Sequence, residues 1–138
     1  MAHAEIKSID TKAAQSAPGV VGVFTGSDIA ADKVGGPICG WVVPCRDGSS
    51  TKEPPHPLLA QGKVRFVGDA VAVVVAETME QAKSAAELID VDYNELTPVV
   101  DFVNADKGAQ IHEEVPNNCY FDWELGDESA TNLSLIHI

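Results

Sequence analysis

The sequence predicts an α+β domain, and three observations support that prediction. Residues 63–93 read as strand, turn, strand, capped helix and strand without a gap. Residues 29–57 are too rich in glycine and proline to form a long helix or a central strand. The 138 residues, 45% of them apolar, suffice for one domain with a buried core. We therefore expect a mixed sheet with two helices and a long Pro/Gly-rich excursion.

The N-terminal part begins with loosely alternating residues 3–10, which predict a strand. A short helix over residues 11–17 follows, because the Asp10 carboxylate can accept backbone N–H groups of its first turn. Pro18-Gly19 ends that helix. Residues 20–24 predict a second strand, which ends at the turn signal of residues 25–28.

The excursion, residues 29–57, contains a series of chain-breaking motifs: Gly35-Gly36-Pro37, Pro44, Gly48-Ser49-Ser50 and Pro54-Pro55-His56-Pro57. A loop of this length inside a domain is typically functional or a contact surface. We interpret it as a segment that depends on a neighbouring domain for order, with plain disorder as the alternative.

The central part predicts two strands around Gly68-Asp69, which marks a tight hairpin turn or a sharp bend. We expect residues 64–67 to form the first of these strands. Residues 70–76 are apolar throughout, and a strand without polar alternation is covered on both faces.

A helix follows Thr78, which forms a Thr-x-x-Gln capping box with Gln81. Its predicted core face comprises Met79, Ala82, Ala85, Ala86 and Ile89. Residues 89–93 then alternate as a half-exposed strand, and Asn94-Glu95 turns the chain into residues 96–100. From residue 101 the periodicity weakens, and residues 115–127 carry three aromatic side chains without a clear period.

The net charge of -12 argues against nucleic acids and anionic membrane surfaces as partners, since both need a basic face. A solvated acidic surface explains this charge, and an acidic face that docks a basic partner subunit is the alternative. No apolar run approaches the about 20 residues of a membrane span, and no secretory signal is visible. Three cysteines do not suggest a disulfide framework, so we predict a cytoplasmic protein.

The cysteines do not match the usual spacing of a metal or redox site. Five residues separate Cys39 from Cys45, whereas paired zinc ligands are about two to four residues apart and redox pairs read Cys-x-x-Cys. We interpret both, and Cys119, as ordinary thiols; zinc binding and a small thiol-redox protein remain alternatives.

The histidines and carboxylates also lack a catalytic arrangement. His56 is held between prolines, but no nucleophile with a supporting partner is recognisable around it, and His3, His112 and His137 are weaker candidates. The carboxylates fall on a predicted exposed strand or in a loop: Asp90, Asp92 and Glu95, and Glu113-Glu114. Neither a Gly-x-Gly-x-x-Gly motif nor a P-loop is present. The sequence thus predicts no catalytic, cofactor-binding or metal-binding residue.

Several sequence blocks follow one another in a recognisable order: His3-Ala4-Glu5-Ile6, Pro18-Gly19-Val20-Val21 with residues 25–29, Gly40-Trp41, Asp47-Gly48, residues 54–60, residues 63–78 and residues 121–127. In this shared order they resemble the large molybdenum-carrying subunit of aerobic carbon-monoxide dehydrogenase and its relatives, the xanthine dehydrogenases and aldehyde oxidases. Glu5 stands where that family usually has arginine.

The resemblance implies an α/β hammerhead domain over residues 1–127, truncated at both ends, followed by a non-native tail at residues 128–138. It implies a parent enzyme with molybdenum on a molybdopterin, of the cytosine dinucleotide form, and with FeS and FAD subunits in a heterotrimer. The family's cofactor motifs lie C-terminal to this region, and Pro44-Cys45-Arg46-Asp47 is not its active-site loop. We expect a structural, inactive fragment of a subunit that oxidises CO with water. An aldehyde or purine hydroxylase subunit and a non-enzymatic acidic interaction module are the alternatives.

Overall fold

The computed structural model describes residues 1–136, and its mixture of short strands and helices confirms the predicted α+β class. In chain order its elements are β1 (Ala4–Asp10), α1 (Lys12–Gln15), β2 (Val20–Thr25), α2 (Gly26–Ala31), β3 (Lys63–Val64), β4 (Ala72–Ala76), α3 (Met79–Ala86), β5 (Asp90–Glu95) and α4 (Glu128–Leu135), with 3₁₀ turns at Ala105–Lys107 and Pro116–Asn118.

The strands form two antiparallel sheets where the sequence predicted one mixed sheet. The three-stranded sheet has the order β3-β1-β5, and the two-stranded sheet pairs β2 with β4. Helix α3 runs from β4 in one sheet to β5 in the other, so β4-α3-β5 is not a parallel crossover within one sheet. The predicted order of strand, helix and strand is confirmed, but the two strands belong to different sheets.

Strand β5 is longer than predicted because β1 pairs with it along its whole length. The register runs from Asp10 opposite Asp90 to Ala4 opposite Glu95. Asn94 and Glu95 therefore continue the strand, and the turn predicted there is wrong.

The core consists of two small clusters of buried residues. Ala4, Ala60 and Val64 form one beside the three-stranded sheet. Ala14, Val23 and Ala85 form the other, where α1 and α3 pack on the two-stranded sheet. Alanines at these positions let the helices lie close to the strands, because they add little bulk at the contact.

The buried face of α3 differs in part from the prediction. Ala85 is fully buried and Ala82 is half-buried, but Met79 is 68% exposed and Ala86 is also exposed. Ala82 and Ala85 of the helix, and Ile89 just after it, are the residues turned toward the core. The prediction that Met79 and Ala86 belong to the core is wrong. The capping box of Thr78 and Gln81 is confirmed.

Helix α2 occupies the place where the sequence predicted only a turn. Its N-terminus is a capping box in which the Asp28 carboxylate accepts a hydrogen bond from the Thr25 backbone N–H at 2.7 Å. This bond is the main reason why the pKa of Asp28 is lowered.

The chain around Gly68 bends sharply instead of forming a hairpin. Strand β3 ends at Val64, short of the predicted residue 67, because the Arg65 backbone N–H donates to Asp69 Oδ2 at 3.0 Å and closes a turn. Gly68 has a φ of 102°, which favours glycine. The two flanking strands then join different sheets.

Strand β4 is covered on one face only, within the part of the chain that the structure describes. Its burial alternates, with Val73 and Val75 at 43% and 45% exposed, so the predicted cover on both faces is not provided by residues 1–136. On the neighbouring strand β2, Phe24 is 44% exposed and lies opposite Val73 of β4. We call Phe24, Val73 and Val75 the bare sheet face.

The tail forms α4, which Asp127 caps by accepting the Ala130 backbone N–H at 2.9 Å. None of the helix residues is buried. The non-native origin of residues 128–138 stays a prediction.

Candidate functional site

The proline-rich excursion is held against residues 119–124, which lie far from it in the sequence. The backbone N–H of Arg46 donates to the Asp122 carbonyl at 2.8 Å, and that of Lys52 donates to the Tyr120 carbonyl at 2.9 Å. The Trp41 and Trp123 rings meet edge to face, with centroids 5.5 Å apart. Two segments that lack periodicity therefore order one another.

Arg46 reinforces this contact through the Asp122 carboxylate. Its Nε and Nη2 atoms donate to Asp122 Oδ1 at 2.9 and 2.6 Å, and this hydrogen bonding is the main reason why the pKa of Arg46 is raised. The groups are exposed, so the pair fixes geometry more than it stabilises the fold.

Asn118 holds the loop that follows β5. Its side-chain oxygen accepts the Ile111 backbone N–H at 2.9 Å, and its Nδ2 donates to the carbonyls of Ala105 and Ala109 at 2.8 and 2.9 Å. Its φ of 53° lies in the left-handed region, which asparagine tolerates better than most residues. Val115, the largest fully buried side chain of residues 1–136, lies in the same loop.

This loop closes one side of a cavity of 240 Å³, which we call the basic cavity. Its polar lining comes from the excursion, from β3 and the bend after it, and from residues 105–120, which we call the Asn118 loop: His56, Lys63, Arg65, Asp69, His112 and Tyr120. Lys63 and Arg65 face it together because alternate residues of an extended chain point the same way. The spacing of Lys63 and Arg65 is therefore the sequence signal that could have indicated a basic site, although no site was predicted here.

The electrostatics of the basic cavity favour the neutral form of His112. Burial, and then the positive charge of Arg65, lower the pKa of His112. Burial also raises the pKa of Tyr120. The two rings meet edge to face, with centroids 5.9 Å apart. His3 is 7% exposed, and its Nδ1 lies 2.9 Å from the Thr97 carbonyl.

A larger cleft of 760 Å³ opens on the other side of His56. Apolar side chains and prolines dominate its lining, and Cys39 also lies there. Cys39 Sγ donates to the Trp41 carbonyl at 3.2 Å and not to His56. The two residues share a cleft, but they do not form a hydrogen-bonded nucleophile and base.

The other residues weighed from the sequence are dispersed. Cys119 Sγ donates to the Phe121 carbonyl at 3.6 Å, and all three cysteines are unbridged. Asp90, Asp92 and Glu95 lie exposed on β5, with Asp92 3.8 Å from Lys7. Within residues 1–136 no cluster of three or more His, Cys, Asp or Glu side chains is arranged to hold a metal ion. His137 lies outside the described residues.

Comparison with known proteins identifies the relatives of this chain. Residues 1–97 match the family described as "Aldehyde oxidase and xanthine dehydrogenase, a/b hammerhead domain". The chain is 38% identical to xanthine dehydrogenase 1 of Arabidopsis thaliana over 110 residues, which cover 80% of this chain and 7% of that one. It is 35% identical to the carbon monoxide dehydrogenase large chain of Afipia carboxidovorans, over 95% of this chain and 17% of that one.

Solved structures agree with these matches. A reconstituted CO dehydrogenase from Oligotropha carboxidovorans superposes with a TM-score of 0.70 and 30% identity, over 98% of this chain and 17% of that one. Quinoline 2-oxidoreductase from Pseudomonas putida superposes with a TM-score of 0.65 and 41% identity, over 79% of this chain and 13% of that one. The chain thus spans a small fraction of each relative's length.

Among residues 1–136 no helix has the length and apolar character needed to cross a membrane. The hammerhead match covers more than two thirds of the sequence, and the fold agrees with it. The chain therefore belongs to the aldehyde oxidase and xanthine dehydrogenase family, as the order of its sequence blocks predicted.

Proposed function

We propose that this chain is the hammerhead domain, residues 1–127, of a molybdenum-dependent oxidoreductase large subunit, in which it supplies a structural surface and not the reactive centre. The observation that carries the proposal is the bare sheet face. An all-apolar strand is typical of a strand buried on both sides, yet one side of β4 has no cover within residues 1–136. The remaining domains of the large subunit would provide that cover.

The area of the surface supports the same conclusion. A compact monomer of 14.6 kDa exposes about 6,900 Å², whereas this chain exposes 9821 Å². The difference, about 2,900 Å², is more than the about 600–1,500 Å² of an ordinary inter-domain interface. Part of it is strongly apolar, since Ile38, Phe102 and Leu125 are 91%, 89% and 87% exposed. Such a surface fits a domain that several neighbours enclose.

The residues described do not fit a molybdopterin site. The 760 Å³ cleft is large enough to consider, but its charged lining is Lys52 and Glu53 amid prolines and apolar groups. A dinucleotide cofactor needs a dense array of hydrogen-bond donors for its pterin and phosphate groups. We therefore assign molybdenum and its pterin, with the cytosine dinucleotide as the expected form, to other parts of the large subunit.

Coverage favours the carbon-monoxide dehydrogenase branch. The Afipia large chain aligns with 95% of this chain, whereas the Arabidopsis xanthine dehydrogenase aligns with 80%. Identity does not discriminate, because quinoline 2-oxidoreductase reaches 41% over a shorter span. We propose CO oxidation by the complete enzyme, and an aldehyde or purine hydroxylase is the alternative.

The expected partners follow from the same proposal. The large subunit would associate with FeS and flavin subunits in a heterotrimer, to which its electrons pass. A cytoplasmic location is supported by three cysteines without a disulfide. The hydrogen-bonded contact between the excursion and residues 119–124 would then present an ordered surface to a neighbour.

The test compares hydrogen exchange of the chain alone with that of the same residues in the complete large subunit, obtained by extending the gene on both sides. We expect β4 and the excursion to gain protection in the complete subunit, while the β1–β5 pairing changes little. Equal exchange in both states would contradict the structural role. Assays of the complete enzyme with CO, xanthine and an aldehyde would decide the branch separately.

A further inference from the structure

The basic cavity concentrates positive charge in an acidic protein. The chain carries a net charge of -12, yet Lys63 and Arg65 both line this cavity and Asp69 is the one carboxylate among its lining residues. Glu114 acts on His112 from nearby but does not line the cavity. Two cationic side chains against one carboxylate give the lining a net positive charge.

Arg65 lacks a partner that its environment requires. Its Nε lies buried without a hydrogen bond within residues 1–136. A buried N–H of a charged group that is left unpaired is strongly destabilising, so such groups are nearly always satisfied. None of the ion pairs formed within the same residues includes its guanidinium.

Asp69 does not satisfy Arg65, although it lies in the same cavity. Its Oδ2 accepts the backbone N–H of Arg65, which commits it to the bend after β3. His112 and Tyr120 also line the cavity, but neither accepts a hydrogen bond from Arg65 Nε within residues 1–136. The Arg65 Nε–H group is therefore open to an acceptor from outside the described residues.

We propose that the basic cavity binds one oxyanion group, a carboxylate or a phosphate, between the guanidinium of Arg65 and the ammonium of Lys63. The guanidinium is planar and presents paired N–H donors that match the two oxygens of such a group. The volume of 240 Å³ exceeds the about 30 Å³ share of one water, so a small anion fits with its remaining water. Nothing in this site depends on molybdenum chemistry.

The two arginines of the sequence, Arg46 and Arg65, provide an internal control. Nuclear magnetic resonance resolves the Nε–Hε group of each arginine in the full 138-residue chain. Arg46 Nε already donates to Asp122, whereas Arg65 Nε awaits an acceptor. The chain is titrated with sodium phosphate, sodium acetate and sodium chloride at matched ionic strength, and backbone amide dispersion in the same samples reports folding.

We expect the Arg65 signal to shift saturably with phosphate or acetate while the Arg46 signal and the chloride series show only a common ionic-strength drift. A response to both anions indicates a general oxyanion site that a carboxylate side chain can also occupy. A response to phosphate alone indicates a site for phosphate or its esters. Anion-dependent folding of the chain, with the Arg65 signal appearing as it folds, also supports the proposal.

Variants separate the roles of the two cations. Arg65→Gln and Lys63→Gln should each lower the affinity for the anion at least about tenfold. Arg65→Lys should lose less affinity than Arg65→Gln, since lysine keeps the charge but not the paired donors. Arg46→Gln should bind as the parent does. Arg65 and Arg46 signals that move together, or no anion response at any concentration, would overturn the proposal.

Discussion

Replacing Asn118 by alanine should unfold the loop that closes the basic cavity. The side chain forms three hydrogen bonds to backbone groups of Ile111, Ala105 and Ala109, two of them half-buried. At about 1 kcal/mol for each bond, and less for the exposed one, their loss costs about 2–3 kcal/mol. Alanine at a φ of 53° adds about 1 kcal/mol of backbone strain.

Asn117→Ala is the matched control, since Asn117 has a φ of 55° and no side-chain hydrogen bond is present for it in the described residues. It should lose only the strain, about 1 kcal/mol. Urea unfolding of both variants gives the difference in unfolding free energy, and hydrogen exchange at Ile111 shows whether the loss is local. A difference below about 0.5 kcal/mol would refute the reasoning, because that is the range of ordinary surface substitutions.

Three further predictions concern the helices and the pH. Thr78→Ala should cost about 1 kcal/mol in urea unfolding, while Thr78→Ser, which keeps the capping oxygen, should cost little. Ala85→Leu should cost about 1–3 kcal/mol by overpacking the contact of α3 with the sheet, whereas exposed Ser84→Leu should stay within about 0.5 kcal/mol. Because burial lowers the pKa of His112 in the folded chain, its contribution to the unfolding free energy should be complete above about pH 6.5 and be lost as the pH falls below that value. His112→Gln should remove this part of the pH dependence, and an unchanged profile would show that His112 is not its source.

The local features of the fold could be predicted from the sequence because neighbouring residues determine them. Thr78 and Gln81 stand at the spacing of a capping box, and the structure has that box. Asp10 accepts the Lys12 backbone N–H at 3.0 Å at the start of α1, as predicted. Thr11 holds the N-cap position, however, and α1 ends at Gln15, short of the predicted residue 17. The capping box of Thr25 and Asp28 carries the same kind of signal, but the glycine between them indicated a turn and concealed the helix.

The sheet arrangement could not be predicted because it depends on contacts between distant residues. The pattern around Gly68 allowed a hairpin or a bend, and the choice is made by pairing of β3 with β1 and of β4 with β2. The face of α3 that is buried follows from the same choice. Met79 has a core-like side chain at a suitable spacing, yet it points away from the sheet that α3 contacts.

The basic cavity could not be predicted for the same reason. His56, Arg65, His112 and Tyr120 come from three parts of the chain without common periodicity. In the sequence, His56 stands out because prolines flank it. Of the Asn118 loop, only His112 was a candidate, and a weak one. The orphaned N–H of Arg65 is visible only once the surrounding chain is in place.

We propose that the reactive centre lies in parts of the large subunit other than this domain. The molybdenum content and the turnover of the purified 138-residue chain test this most directly. The chain is produced in a host that makes the molybdenum cofactor, and the complete enzyme from the same host, with its FeS and flavin subunits, serves as the control. We predict molybdenum and substrate oxidation in the complete enzyme and neither in the chain alone. Stoichiometric molybdenum in the isolated chain, or its oxidation of CO, xanthine or an aldehyde, would contradict the account.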